Sequence, residues 1–177
     1  MKRILSLLLL VALSLSLFSC GGGNDDDLTR NEDGLISYSE SGLYFALPDE
    51  MTRRNVSYAD VCYGDGDAQF FVFFYSRDSL LTDCYMDKDS TVQQYAEWCI
   101  DFDMCTELTE EYDAEAKRIR YTFVAEDTYY IAIVMRNYDS LIHVTMCCPY
   151  DMKATYESKF DVWEKYVALM YPDAAGT

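Results

Sequence analysis

The residue types best suited to chemistry are scarce in this chain. His143 is the only histidine, and seven cysteines accompany it. A Cys–His nucleophile needs the two side chains within hydrogen-bond reach, about 3 Å. Cys147 shares a strand face with His143, but four residues of strand separate them by about 13 Å. Cys62 or Cys84 could meet His143 across a sheet; a structural strand histidine is the better reading. There is no G-x-S-x-G elbow, no H-E-x-x-H, no phosphate loop and no dinucleotide fingerprint. A zinc site would need cysteines or carboxylates beside the single histidine, and no C-x-x-C occurs. Asp65-Gly66-Asp67 and the Asp83, Asp87-Lys88-Asp89 stretch are rich in oxygen. Neither has the oxygen ladder of a calcium loop, so they read as turns and caps. No catalytic residue, metal or cofactor is therefore expected. Sixteen tyrosines offer a different chemistry, stacking and hydrogen bonding. Tyr121 and Tyr129 fall on core faces by alternation. Tyr63, Tyr75, Tyr85, Tyr130 and Tyr138 are the candidates for an exposed ligand-binding surface.

The remaining reactive residue is Cys20. Lys2 and Arg3 precede an apolar stretch, Ile4 to Phe18, broken only by Ser6, Ser14 and Ser16. As a helix it would reach about 22 Å, short of a bilayer core of about 30 Å. A charged start, a short apolar core and a small residue before the break describe an export signal. The end, Leu17-Phe18-Ser19-Cys20-Gly21, resembles the lipobox of bacterial lipoproteins, with Phe18 bulkier than the usual small residue. The resemblance implies cleavage before Cys20 and a diacylglycerol on its thiol, joined by a further fatty chain for stable anchoring. Gly21-Gly22-Gly23-Asn24-Asp25-Asp26-Asp27 then reads as a flexible tether, with glycines costly to order and like charges repelling. Its acidic run resembles the signal that sends lipoproteins of Bacteroidota to the outer membrane. A lipid-anchored protein on the cell surface or the periplasmic face is the expectation.

Loss of residues 1–19 removes two basic side chains and leaves 12 basic against 31 acidic, a net charge of −19. Such a surface repels nucleic acid and anionic lipid heads and suits solubility or a basic partner. An exported chain meets an oxidising compartment. Disulfides among Cys62, Cys84, Cys99, Cys105, Cys147 and Cys148 are thus open, as are buried thiols, and spacing does not choose a pairing.

The elements that would carry these residues follow from periodicity. Leu35–Ser39 and Leu43–Leu47 read as a hairpin, closed by Pro48. Val56 to Tyr63 reads as a strand, and Ala68 to Ser76 returns after the Gly64–Asp67 turn. Phe70, Val72 and Phe74 alternate with Phe71, Phe73 and Tyr75, so that strand is apolar on both faces and must be covered on both. A helix starts at Ser90, with Ser90 and Gln93 as a capping box, and runs to Asp103. Strands follow over Thr106–Tyr112, Ile119–Ala125, Tyr129–Met135 and Ile142–Cys148 as an antiparallel meander. A last helix, capped by Asp151, carries Tyr156, Phe160, Trp163, Val167 and Met170 to Pro172.

The predicted organisation is a leader at 1–19, a lipidated tether at 20–35, one domain at 36–171 and a tail at 172–177. The fold class is α+β, a largely antiparallel sheet flanked by helices on both faces. The Gly42-Leu43-Tyr44-Phe45-Ala46-Leu47-Pro48 opening and the Trp163 closing helix resemble the PsbP-like α/β/α sandwich. That resemblance implies a fold and carries no catalytic residue across. The expected function is a lipid-anchored, non-enzymatic binding or structural module. The alternatives are an acidic immunity- or inhibitor-type protein that neutralises a basic partner, and an enzyme with a carboxylate-based site.

Overall fold

A computed structural model describes residues 30–102, 106–113, 118–137 and 140–170. The leader, Cys20 and most of the tether, Cys105, Tyr138 and the tail lie outside the described residues. In chain order the strands are β1 (Ile36–Glu40), β2 (Leu43–Leu47), β3 (Thr52–Arg53), β4 (Val61–Gly64) and β5 (Gln69–Ser76), then β6 (Thr106–Asp113), β7 (Arg118–Ala125), β8 (Thr128–Arg136), β9 (Ser140–Pro149) and β10 (Ala168–Leu169). The helices are α1 (Arg77–Asp83), α2 (Val92–Phe102) and α3 (Lys153–Glu164). Among these, no helix is long and apolar enough to cross a membrane.

Alternation builds the centre. Phe70 and Val72 turn one way from β5 and Phe71 the other, and all three are buried. The strand lies inside a seven-stranded antiparallel sheet of order β3-β4-β5-β9-β8-β7-β6. On one face Phe70, Val72, Ile131, Ile133, Val144 and Met146 meet Phe160 and Trp163 of α3. The same layer contains Leu43, Phe45 and Leu47 of a separate β1-β2-β10 sheet. On the other face Phe71, Ile119, Tyr121, Ala132, Val134 and Leu141 meet Leu80 of α1 and Tyr95, Ala96 and Cys99 of α2. The expected architecture, an antiparallel sheet with helices on both faces, is what the chain adopts. The small second sheet is an addition to it.

Three local expectations differ, and one helix is new. The strand expected from Val56 begins only at Val61. Before it, the Asp60 carboxylate accepts from the Phe74 backbone N at 2.7 Å and so replaces a ladder bond at the end of β5. After β5, where periodicity gives no element, the chain forms α1, with Ser76 Oγ accepting from Ser79 N at 3.1 Å. The capping box sits one residue later than Ser90 and Gln93. Thr91 Oγ1 accepts from Gln94 N at 3.2 Å, and Gln94 Oε1 accepts from Thr91 N at 2.8 Å. Ser90 is buried, and its carbonyl accepts from the Arg136 guanidinium.

The last helix is also shorter than expected at both ends. Asp151 lies in a 3₁₀ turn over Tyr150–Met152 and does not cap α3. After Glu164, the Tyr166 and Val167 amides bond back to Trp163 and Glu164, both at 3.0 Å, which tightens and ends the helix. Ala168 and Leu169 then pair with Tyr44 and Leu43. Val167 keeps its buried position as the approach to a strand, whereas Met170 is exposed. The helix end is fastened to the sheet by charge. Arg118 Nη2 donates to Glu164 Oε1 at 2.5 Å, Arg120 Nε donates to Glu164 Oε2 at 2.7 Å, and Arg120 Nη2 reaches Asp161 at 3.3 Å.

Candidate functional site

The helix layer has a seam. α1 leaves the end of β5, while α2 packs on β8 and β7. β9 runs between β5 and β8, beneath the gap. Alternation sends Ile142, Val144, Met146 and Cys148 of β9 to the α3 side and Leu141 and Cys147 to the seam side. His143 and Thr145 share that seam face. His143 pairs in register with Phe73 of β5 and Val134 of β8. Tyr95 covers it from α2, its ring centroid 5.7 Å from the imidazole in an edge-on arrangement. Tyr121 arrives from β7, two strands away. It registers with Ala132, which registers with Thr145. A methyl group at 132 leaves the space through which the Tyr121 ring reaches the imidazole.

Each imidazole nitrogen faces hydroxyl groups. Nδ1 lies 3.3 Å from the Tyr95 hydroxyl. Nε2 lies 3.3 Å from both the Tyr121 hydroxyl and Thr145 Oγ1. A neutral imidazole offers one donor and one acceptor, and hydroxyls can serve either. The arrangement satisfies the neutral ring without a carboxylate. Burial pushes the His143 pKa down to about 4. The same burial pushes the Tyr75 and Tyr95 hydroxyls well above the usual phenol range, and the two rings pack with centroids 5.4 Å apart. Burial also raises the Cys62 and Cys84 thiols to about 11, and Cys147 further. At neutral pH every one of these groups is uncharged. The cluster can stack and hydrogen-bond; it holds no thiolate and no imidazole poised to exchange protons near neutrality.

The other sequence candidates are dispersed. Cys62, Cys84, Cys147 and Cys148 are buried free thiols and Cys99 is buried beside them, and Cys147 and Cys148 point to opposite faces of β9. The imidazole nitrogens meet oxygens of Tyr95, Tyr121 and Thr145, so neither Cys62 nor Cys84 forms the cross-sheet pair. Tyr63 and Tyr130 are buried, which corrects the expectation of surface positions. Tyr63 packs 4.8 Å from Tyr38, and Tyr130 stacks 4.6 Å from Phe123. Both belong to strands covered on two faces, where alternation no longer separates inside from outside. Tyr75 is half-buried at the seam. Tyr85 is exposed, in the left-handed region at φ 56°. Asp65 accepts from the Asp67 and Ala68 amides at 2.9 and 2.8 Å, and Asp87 accepts from Asp89 N at 2.8 Å, both as turn-formers. Among the described residues, no three His, Cys, Asp or Glu side chains come together as metal ligands.

Sequence reasoning did not single out Phe73, Tyr95 or Thr145 as parts of a site, and it placed Tyr121 in the core. The available signal was small: a histidine and a threonine interrupt a strand face that is otherwise apolar.

The sequence matches no protein-family model and no curated protein. The structure is similar to the solution structure of cyanobacterial PsbP (CyanoP) from Synechocystis sp. PCC 6803, with a TM-score of 0.52 at 19% identity. The likeness covers 86% of this chain and 98% of that one. At such identity the likeness speaks for fold alone, and the fold is a PsbP-like α+β sandwich.

Proposed function

We propose that this chain is a lipid-anchored envelope protein whose folded domain binds or organises another molecule and performs no catalysis. One observation carries the non-enzymatic part. Both imidazole nitrogens of His143 face hydroxyls, those of Tyr95, Tyr121 and Thr145, and none of these described bonds is to a thiol or carboxylate; burial also pushes the imidazole pKa down to about 4. General acid–base work needs a group that titrates near the working pH. Anchoring rests on the lipobox-like Leu17–Gly21 segment and the acidic glycine-rich stretch behind it. The address is the outer membrane, on its outer or its periplasmic face.

Mass spectrometry of the amino-terminal peptide, with detergent phase partitioning, tests the anchor. The expected product starts at Cys20, carries fatty acyl groups and enters the detergent phase. The Cys20→Ala variant loses both properties. An unacylated terminus elsewhere, with the wild type in the aqueous phase, would remove the anchor from the account.

A further inference from the structure

We infer that the carboxyl end of α1 is a docking knob, anchored by Tyr85, for a protein that presents an apolar socket rimmed by basic side chains. The inference rests on the reading of the domain as a binding module, and it gives that module a contact surface and a class of partner.

Tyr85 occupies a position that suits a different residue. α1 ends at Asp83, and Cys84 follows with helical angles. Tyr85 then enters the left-handed region at φ 56°, and the Met86 amide bonds back to the Leu80 carbonyl at 3.0 Å. Glycine or asparagine is the usual residue at such a helix end, because other side chains are strained there. Packing of the ring inside the fold would offset that strain. The ring does not pack: Tyr85 is 85% exposed, the highest value among the described large apolar side chains. Among the described residues, no ring, hydrogen-bonding group or cation partners it. Strain that no internal contact uses points outward, to a contact made on binding.

Leu81 extends the knob. Leu80 is fully buried, whereas Leu81 turns outward and is 57% exposed. Single exposed apolar residues are ordinary. Here two fall within one helix end, and one of them is a strained aromatic. Tyr150 and Met170 are less exposed and belong to separate elements, and Tyr150 has the Lys153 ammonium over its ring. An exposed tyrosine beside an aliphatic side chain is the composition of an interface anchor.

Charge selects the partner. Asp78, Asp83, Asp87 and Asp89 are exposed on the same segment, with Arg77 and Lys88 the only cations there. Arg77 already faces Asp89 at 3.8 Å. Three carboxylates then stand against one ammonium, in a processed chain of net charge −19. Such a rim repels anionic lipid heads and a second copy of the same chain. It attracts a protein whose socket is bordered by lysine or arginine.

Two baits test the knob in envelope extract of the source cells: the processed full chain in detergent and its Tyr85→Asn variant. Asparagine tolerates the left-handed turn and removes the ring. A protein retained more by the wild type is identified and purified, and support comes from its binding measured by titration calorimetry. Tyr85→Asn should weaken that binding by about tenfold or more, and Tyr85→Phe should stay within about threefold. Urea unfolding should find Tyr85→Asn no less stable than the wild type, which separates a lost contact from a lost fold. Hydrogen exchange should slow over residues 77–89 in the complex. Affinity should fall by about tenfold between about 50 and 300 mM salt. Equal binding by the two baits, binding indifferent to salt, or protection confined to other segments would each overturn the inference. So would Tyr85-dependent binding to phosphatidylglycerol vesicles, or a Tyr85-dependent dimer in sedimentation. Equal capture by both baits would remove the knob and leave the binding module standing. Capture by neither would remove both, and neither result bears on Cys20.

Discussion

Acidification should destabilise this domain through His143, and by a calculable amount. The unfolded imidazole takes a proton below about pH 6.5, whereas the folded one takes it only near pH 4. Between those values the unfolded chain binds more protons, so stability rises with pH there. The contribution is complete above about pH 6.5, declines toward pH 4 and changes no further below it. Each pKa unit corresponds to about 1.4 kcal/mol, which puts the ceiling at about 3.4 kcal/mol. Because the side chain touches solvent, about 2–3 kcal/mol is the expected share. Urea unfolding at pH 7, 6, 5 and 4.5 measures it. With a slope of about 2 kcal/mol per molar, the wild-type midpoint should fall by about 1–1.5 M more than that of His143→Gln. The variant is the necessary reference, because 31 acidic side chains also respond to pH in both proteins. Parallel curves for the two proteins, within about 0.5 kcal/mol, would refute the assignment of a buried neutral imidazole.

Other consequences are local. Glu164→Ala leaves the Arg118 and Arg120 guanidiniums, with side chains only 23% and 17% exposed, without their shared carboxylate. The loss should be about 3 kcal/mol by urea unfolding, against under about 0.5 kcal/mol for exposed Asp161→Ala; equal losses would contradict the clamp. Thr91→Ala should cost about 1 kcal/mol as the loss of a helix cap, and Ser90→Gly should not reproduce a cap defect in the helical circular dichroism of α2. Tyr85→Gly should raise stability by about 1 kcal/mol, since glycine adopts the left-handed region without strain; a destabilised variant would show that the ring packs in solution.

Much of the fold was legible because it follows from short-range pattern. The doubly apolar run from Phe70 to Tyr75 demands cover on two faces, and the structure supplies it. The hairpin of β1 and β2 and the meander of β7, β8 and β9 follow from alternation and short links. Other features depended on competition between near-equal local signals. Thr91 and Ser90 are both good caps, and the Arg136 contact to the Ser90 carbonyl accompanies the shift of the box by one residue. Val167 and Met170 continue a helical spacing, but pairing of β10 with β2 takes the chain away from it.

The site was least legible because strand order made it. Tyr121 reaches His143 only because β8 lies between β7 and β9 and carries Ala132 at the crossing. Tyr95 arrives from a helix 48 residues earlier. No spacing rule relates these residues. Conversely, the proposed lipid anchor rests on the sequence alone, since Cys20 lies outside the described residues.

We propose that the domain's one histidine is a neutral hydrogen-bonding group and not a working acid–base group. Nuclear magnetic resonance of the His143 imidazole across pH 3–8 addresses it most directly. The account predicts a midpoint near 4 and no change between pH 6 and 8. A midpoint between 6 and 7 would contradict it, because the site would then hold a working acid–base group.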